Sequence, residues 1–166
     1  MPSEEAPKPL DVAEQRAWAL LLGVTTWLPA ALDAHLQRDA GISHSEYQVL
    51  WWLSTSTEKV LHMSQLADSA GVTASHLSRI VARLEKRGWI TRNPDPADGR
   101  YTQARLTGEG ERKVAECAPG YATALRANLF DHLAGDQVDD LATLAYAILR
   151  ELRPVCVNHL PGEPPA

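Results

Sequence analysis

The segment VTASHLSRIVARLEKRG, residues 72–88, constrains the fold of this 166-residue chain more than any other. Four of its apolar residues recur at helical spacing, and they are Leu77, Ile80, Val81 and Leu84. Because an α-helix has about 3.6 residues per turn, these side chains share one buried stripe. Thr73 is placed to cap the start of this helix and Gly88 to end it. The opposite face is polar and basic, and it carries Ser75, Arg79, Ala82, Arg83 and Lys86.

A shorter helical pattern, residues 64–70, comes directly before this segment. Ser64 can cap it, and Gly71 ends it. Two helices joined by so short a turn predict a helix-turn-helix, whose second helix fits the major groove of DNA. There an Arg can contact guanine and a Lys can neutralise a phosphate. An ordinary surface helix with a solvated basic face has the same pattern, so the helix alone does not establish DNA binding.

The stretch that follows favours DNA binding. Residues 89–93, WITRN, and residues 101–106, YTQARL, alternate apolar and polar side chains, which predicts two antiparallel strands. The loop between them contains two prolines and the turn-forming pair Asp98-Gly99. Arg100 follows near the tip, where a long cation can reach an adjacent minor groove. Two helices and a hairpin of this kind predict a winged helix-turn-helix that binds DNA.

The distribution of charge agrees with a local DNA contact. The net charge of −5 argues at first against a polyanionic partner. However, residues 74–105 contain seven basic and three acidic side chains, while the regions before and after them are both acidic. An acidic protein with one basic segment is typical of a nucleic-acid reader, although a solvated charged face would look alike.

The sequence from Leu66 to Gly110 resembles the core of the MarR (multiple antibiotic resistance regulator) family of bacterial transcription factors. Its D-x-R followed by LT, here Asp98, Arg100, Leu106 and Thr107, is similar to that family's signature. The resemblance implies a homodimer that binds a pseudo-palindromic, double-stranded DNA operator. It also implies repression that a small molecule or an oxidant relieves.

The same resemblance assigns roles to individual residues. It implies that Ser75, His76, Arg79 and Arg83 read the major groove, and that Arg100 enters the minor groove while Asp98 orients it. With the neighbouring polar positions included, the predicted major-groove contacts are Thr73, Ser75, His76, Ser78, Arg79, Arg83 and Lys86. The predicted wing contacts are Asp98 and Arg100.

Helical patterns flank this core on both sides. A helix is predicted from about Asp11 to Asp39, with a kink or break near Thr25 caused by Pro29. Ser43 and Glu46 form a capping box before a second helix, residues 45–54. Further helices are predicted from Thr107 to Asp131, bent at Pro119-Gly120, and over residues 137–153, capped by Asp136. The apolar seams of the outer helices predict a dimer, and the alternative is an intramolecular helical cap.

The predicted fold is therefore mainly α with a small β-hairpin. It comprises a flexible tail, residues 1–9, an N-terminal dimerisation helix region, residues 10–40, and a winged helix-turn-helix, residues 41–106. Two C-terminal dimerisation helices, residues 107–156, and a second flexible tail, residues 157–166, complete it.

The effector is the least determined feature of the sequence. Five tryptophans suggest a small apolar or aromatic ligand, and the predicted pocket is lined by Trp18, Trp27, Tyr47 and Trp51. Core packing explains most tryptophans, so no ligand identity follows. Cys117 and Cys156 are far apart and are predicted to be inert, and the six histidines are scattered. We therefore expect no metal site and no cofactor.

Several other classes of protein fit less well. The longest uncharged run, Ala17 to Leu32, has sixteen residues and is predicted to be neither a signal peptide nor a membrane span. The cysteine usage favours a reducing cytoplasm. No catalytic motif is present, so we expect no enzyme. The alternatives are a winged-helix dimer that binds proteins instead of an operator, and an enzyme subunit that uses this fold only to dimerise.

Overall fold

The computed structural model describes residues 8–153, so most of the first predicted tail and all of the second lie outside it, as do Cys156 and His159. Six helices were found in this range: α1 (Val12–Ala40), α2 (His44–Thr55), α3 (Met63–Ser69), α4 (Ala74–Lys86), α5 (Gly108–Asn128) and α6 (Gly135–Leu152). The three strands are β1 (Val60–His62), β2 (Ile90–Pro94) and β3 (Thr102–Leu106). Single 3-10 turns precede β1 and α6. The mainly helical winged-helix fold is confirmed.

The sheet is antiparallel, with strand order β1-β3-β2. Its β2–β3 hairpin is the predicted wing, with Ile90 opposite Leu106 and Pro94 opposite Thr102. The sequence analysis did not identify β1, which pairs Leu61 with Ala104. Three residues are too short for an alternating pattern, so only pairing with β3 makes this segment a strand.

The hydrophobic core lies between α2, α3, α4 and this sheet. The predicted stripe of α4 is completely buried there, since Leu77, Ile80, Val81 and Leu84 are all inaccessible to solvent. The largest side chains packed with them come from the other core elements, and they include Leu50, Leu53, Leu66 and Ile90. The stripe thus fixes which face of α4 points outward.

Two of the predicted helix caps are present and two are wrong. The Thr73 hydroxyl accepts a hydrogen bond from the His76 backbone, and Ser43 forms its capping box with Glu46. Ser64 lies inside α3, which starts earlier because the chain leaves β1 at His62 and turns directly into the helix. Asp136 likewise lies inside α6, whose N-cap is Ala134.

Both proline-containing helices are uninterrupted. The structure contains α1 as one helix through Pro29, so the predicted alternative of a break is wrong. The hydroxyls of Thr25 and Thr26 donate to carbonyls one turn earlier, and the buried Leu32 and Leu36 anchor the following half of α1. Packing of that half against α5 outweighs the one lost backbone hydrogen bond. Pro119 is similarly accommodated within α5.

The first half of α1 and the whole of α6 are different, because their apolar side chains face solvent. On α1 these are Trp18, Leu20, Leu21, Leu22, Val24 and Trp27, and on α6 they are Leu141, Leu144, Ile148 and Leu152. No residue of α6 is buried. By length and composition alone α1 is long and apolar enough to cross a membrane, but the core helix of a soluble protein and an N-terminal signal sequence pass the same test.

Candidate nucleic-acid interface

The outward face of α4 consists of Ser75, His76, Ser78, Arg79 and Lys86, and all five residues are exposed. They point away from the core because the stripe one half-turn away is completely buried. Among residues 8–153, neither Arg79 nor Lys86 has an ion-pair or hydrogen-bond partner. Two long cations are therefore free to contact an external anion. Thr73, also predicted as a DNA contact, is exposed but uses its hydroxyl to cap α4.

Arg83 differs from its neighbours on α4. Its Nε donates to Oε1 of Glu46 on α2 over 2.8 Å, so it lies on the flank of the helix that faces α2. Arg87 follows on the same flank, with its Nη1 3.9 Å from Oε2 of Glu46 and 3.3 Å from the Gly41 carbonyl oxygen. A direct contact between Arg83 and DNA stays a prediction, and the structure assigns this side chain a protein partner.

Sequence analysis missed this role of Glu46, which it identified only as part of a capping box. The Glu46 residue is buried, with 4% exposure. Burial would raise the pKa of its carboxyl, but the hydrogen bonds from Arg83 and Ser43 hold the pKa below its ordinary value. The side chain is therefore charged and bound at neutral pH. The basic partners of Glu46 lie 37 or more positions later in the sequence. No local sequence pattern therefore indicates this ion pair.

The wing presents Arg100 as predicted. Its Nε and Nη2 donate to the two carboxylate oxygens of Asp98 over 3.0 and 2.6 Å. These hydrogen bonds lower the pKa of the Asp98 carboxyl, so the pair is ionised at neutral pH. The Arg100 side chain is nevertheless 85% exposed. Asp98 thus orients a cation that remains accessible at the tip of the hairpin.

Asp95 holds the base of the wing loop, and sequence analysis did not single it out. Its carboxylate accepts hydrogen bonds from the backbone of Ala97 and Asp98 and from the side chain of Gln103. His62 of β1 contacts the same carboxylate at 3.1 Å. The backbone hydrogen bonds lower the pKa of Asp95. The aspartate in the sequence N-P-D-P was a usable signal, since Asp commonly bonds backbone groups two residues onward.

Only half of the predicted effector-pocket residues lie together. Tyr47 and Trp51 line a cleft of about 440 Å³ between α2 and α5, together with Gln48, Trp52, Ala118, Tyr121, Ala122 and Leu125. Among the residues that the structure describes, no charged side chain lines this cleft. Trp18 and Trp27 lie instead on the exposed face of α1. Helical spacing could not separate the two sets, because their separation depends on how α1 packs against α5.

Polar contacts link Tyr121, which lines this cleft, through His44 of α2 to α1. Nε2 of the buried His44 lies 3.0 Å from the Tyr121 hydroxyl, and its backbone N–H donates to Asp33 of α1. Burial lowers the pKa of His44 and raises the pKa of Tyr47 to about 12. Burial also raises the pKa of the Cys117 thiol, which disfavours the reactive thiolate. Within residues 8–153, no cluster of three potential metal ligands occurs.

Comparison with known proteins agrees with this geometry. A family model described as MarR family matches residues 40–100. The DNA-bound crystal structure of Sco3205, a MarR family transcriptional regulator from Streptomyces coelicolor, is 39% identical, covering 90% of this chain and 94% of that one with a TM-score of 0.81. AbsC from the same organism is 29% identical, covering 89% and 99% of the two chains with a TM-score of 0.78.

A curated relative extends the comparison. The transcriptional repressor MprA of Escherichia coli strain K12 is 28% identical over 112 residues, which cover 68% of this chain. The match spans 63% of MprA, slightly less than two thirds of its length. The similarity to Sco3205 extends instead over nearly the whole of both chains. The protein belongs to the MarR family of transcriptional regulators.

Proposed function

We propose that this protein is a sequence-specific transcriptional regulator that binds a pseudo-palindromic DNA operator as a homodimer and acts as a ligand-responsive repressor. The outward face of α4 carries the proposal, because Arg79 and Lys86 are exposed there without protein partners. Arg100 extends the same cationic surface onto the wing. A guanidinium in the major groove can bond guanine at two positions, and a second in the minor groove adds affinity. The related Sco3205 structure contains DNA.

The proposed dimer follows from the exposed apolar faces of α1 and α6. Trp27 and Leu144 are 74% and 64% exposed within extended apolar faces. Soluble monomers rarely expose apolar faces of this extent. A second copy related by a two-fold axis would bury the same faces on both chains. That symmetry would place two α4 helices about 34–36 Å apart, one turn of DNA. The intramolecular cap considered as an alternative lacks support, since α6 buries none of its residues.

We further propose that the effector is a small aromatic or apolar molecule that binds the cleft between α2 and α5. The cleft is lined mainly by rings and aliphatic groups, with the Gln48 amide and two phenols for orientation. It adjoins α2, which contacts α4 directly. A ligand that displaces α2 would therefore change the position of α4. We assign the protein no catalytic activity, and we expect it to act in the cytoplasm.

The first experiment is selection of genomic DNA by the purified protein, followed by titration of the recovered fragment and of random DNA. We expect an inverted repeat that is bound much more tightly than random sequence. Arg79→Ala should cost about 1–3 kcal/mol in operator binding and affect random DNA less. Arg126→Ala, an exposed arginine on α5, is the control and should change neither.

Two outcomes would contradict this proposal. Equal losses on operator and random DNA would remove Arg79 from base reading. Failure to enrich any fragment, with weak binding that disappears at modest salt, would favour a winged-helix dimer that binds proteins.

A further inference from the structure

Two ion pairs hold α4 from opposite sides. On one flank, Arg83 Nε bonds Glu46 of α2 at 2.8 Å. On the other, Glu85 accepts from Nη2 of Arg92 on β2 at 2.6 Å. The helix itself supplies a cation to one pair and an anion to the other. These pairs therefore connect α4 to the two elements between which it lies.

The apolar stripe of α4 fixes which face of the helix is buried, and a directional contact can set the rotation within that constraint more sharply. The hydrophobic effect is itself non-directional and depends on how much apolar area is buried. An ion pair between a guanidinium and a carboxylate is directional, because both groups are planar and their hydrogen bonds need alignment. Arg83 lies one turn after Arg79 on α4, so a constraint on Arg83 also constrains the direction of Arg79.

Glu46 is a rigid anchor for such a constraint. Its Oε2 accepts the Ser43 backbone N–H over 3.0 Å, and its own N–H donates to the Ser43 hydroxyl. The residue is buried at the corner where α1 turns into α2. The next residue, Tyr47, is part of the hydrophobic core. The carboxylate therefore has little freedom to follow Arg83 if α4 rotates.

We propose that Glu46 is a positioning residue for DNA recognition: it holds Arg83 and thereby sets the rotation of α4 at which Arg79 meets the base edges. This inference rests on the proposed function as an operator-binding protein. Arg83 then contributes through its ion pair with Glu46 and not through a base contact of its own. The proposal thus assigns a role to a buried acidic residue beside a helix that we propose binds a polyanion.

The sign of the effect separates this proposal from simple electrostatics. Glu46→Gln removes a negative charge near the DNA surface, which by itself should strengthen binding to every DNA sequence. The same change preserves an oxygen that can cap α2, but it weakens the hold on Arg83. Positioning therefore predicts weaker operator binding, whereas charge alone predicts stronger binding.

The test measures the ratio of operator affinity to random-DNA affinity, in which a uniform charge effect cancels. We expect Glu46→Gln and Arg83→Gln each to lower this ratio on the order of tenfold. The double variant should lose about the same factor, since both changes break one interaction. Arg126→Gln, which removes one exposed charge from α5, away from the proposed DNA surface, should leave the ratio unchanged. Circular dichroism and the molar mass in solution confirm that each variant folds and assembles.

An unchanged or raised ratio for Glu46→Gln overturns the inference, as would losses that multiply in the double variant. A loss confined to Arg83→Gln would mean that Arg83 reads bases directly. Arg79→Ala, measured in parallel, distinguishes failure of the inference from failure of the proposed function. If Arg79→Ala lowers the ratio and Glu46→Gln does not, only the positioning role is lost. If no variant changes it and no operator exists, the proposed function itself fails.

Discussion

Leucines at similar helical positions are buried in the winged-helix core but exposed on the helices outside it. Leu84 of α4 is completely buried, whereas Leu144 of α6 is 64% exposed. Both belong to apolar stripes with helical spacing, and their sequence patterns are of the same kind. The difference teaches that periodicity predicts which face of a helix is buried, but not whether the same chain or a second copy buries it.

A matched pair of leucine-to-alanine substitutions tests this difference between core and outer helices most directly. Leu84→Ala should lower the free energy of unfolding by about 2–5 kcal/mol, because it leaves a cavity in the core. Leu144→Ala should weaken the proposed dimer instead, since Leu144 is exposed on the surface that we propose a second copy covers. Denaturant unfolding and analytical ultracentrifugation measure the two effects. A Leu144→Ala protein whose dimer is as tight as the wild-type dimer would contradict the proposed interface.

Alanine substitutions at two glycines test how closely the start of α5 packs against the core. A Cβ on Gly110 would collide with the Trp89 carbonyl oxygen and the Leu106 side chain, whereas a Cβ on Gly108 would meet nothing. We expect Gly110→Ala to destabilise the fold by about 1–3 kcal/mol through overpacking. Gly108→Ala should stay within about 0.5 kcal/mol of the wild type. Equal stabilities by thermal or urea unfolding would show that α5 adjusts freely against the wing.

The tip of the wing lies outside the hydrophobic core, so a change there should separate DNA binding from folding. Arg100→Ala should weaken operator binding by about tenfold, because it removes one exposed cation from the tip of the wing. Unfolding and dimerisation should not change. Titration at several salt concentrations gives the affinity and its salt slope, which should fall by about one. Unchanged affinity would remove the wing from the mechanism.

The smallest expected effect concerns His44, where the core meets α1. Burial lowers the pKa of His44 below its ordinary value of 6.5, so the unfolded chain binds a proton more readily than the folded one. The stability that neutral His44 supports is present above about pH 6.5 and is lost as the pH falls toward the folded-state pKa. The charge of Asp33 opposes the shift but does not cancel it.

His44→Gln removes the titrating group and should flatten this decline. The measurement compares the unfolding free energy of the two proteins at pH 7.5 and at pH 5.5. The same decline in both proteins would place the titration elsewhere. A steeper decline in the variant would mean that His44 is stabilised in its charged form, contrary to the structure.

Local interactions were largely predictable from the sequence. The Thr73 cap, the Ser43 capping box, the wing hairpin and the Asp98–Arg100 pair each join residues at most a few positions apart, or strands joined by one turn. Apart from the Asp136 cap, which is a local error, the failures have a common physical origin, since they depend on contacts between distant segments. These include β1 and its effect on the start of α3, the uninterrupted α1, the Glu46–Arg83 pair and the separation of Trp18 and Trp27 from Tyr47.

By itself the sequence determined that a basic, amphipathic helix would bury one stripe and expose the other face. Its periodicity is a property of the chain alone, and so is the wing that follows it. Only the tertiary structure decided which cations on that helix remain free. Arg79 and Arg83 are one turn apart and chemically identical, yet α2 brings a buried carboxylate to Arg83 and none to Arg79. That choice depends on how two helices pack, which spacing within one helix cannot encode.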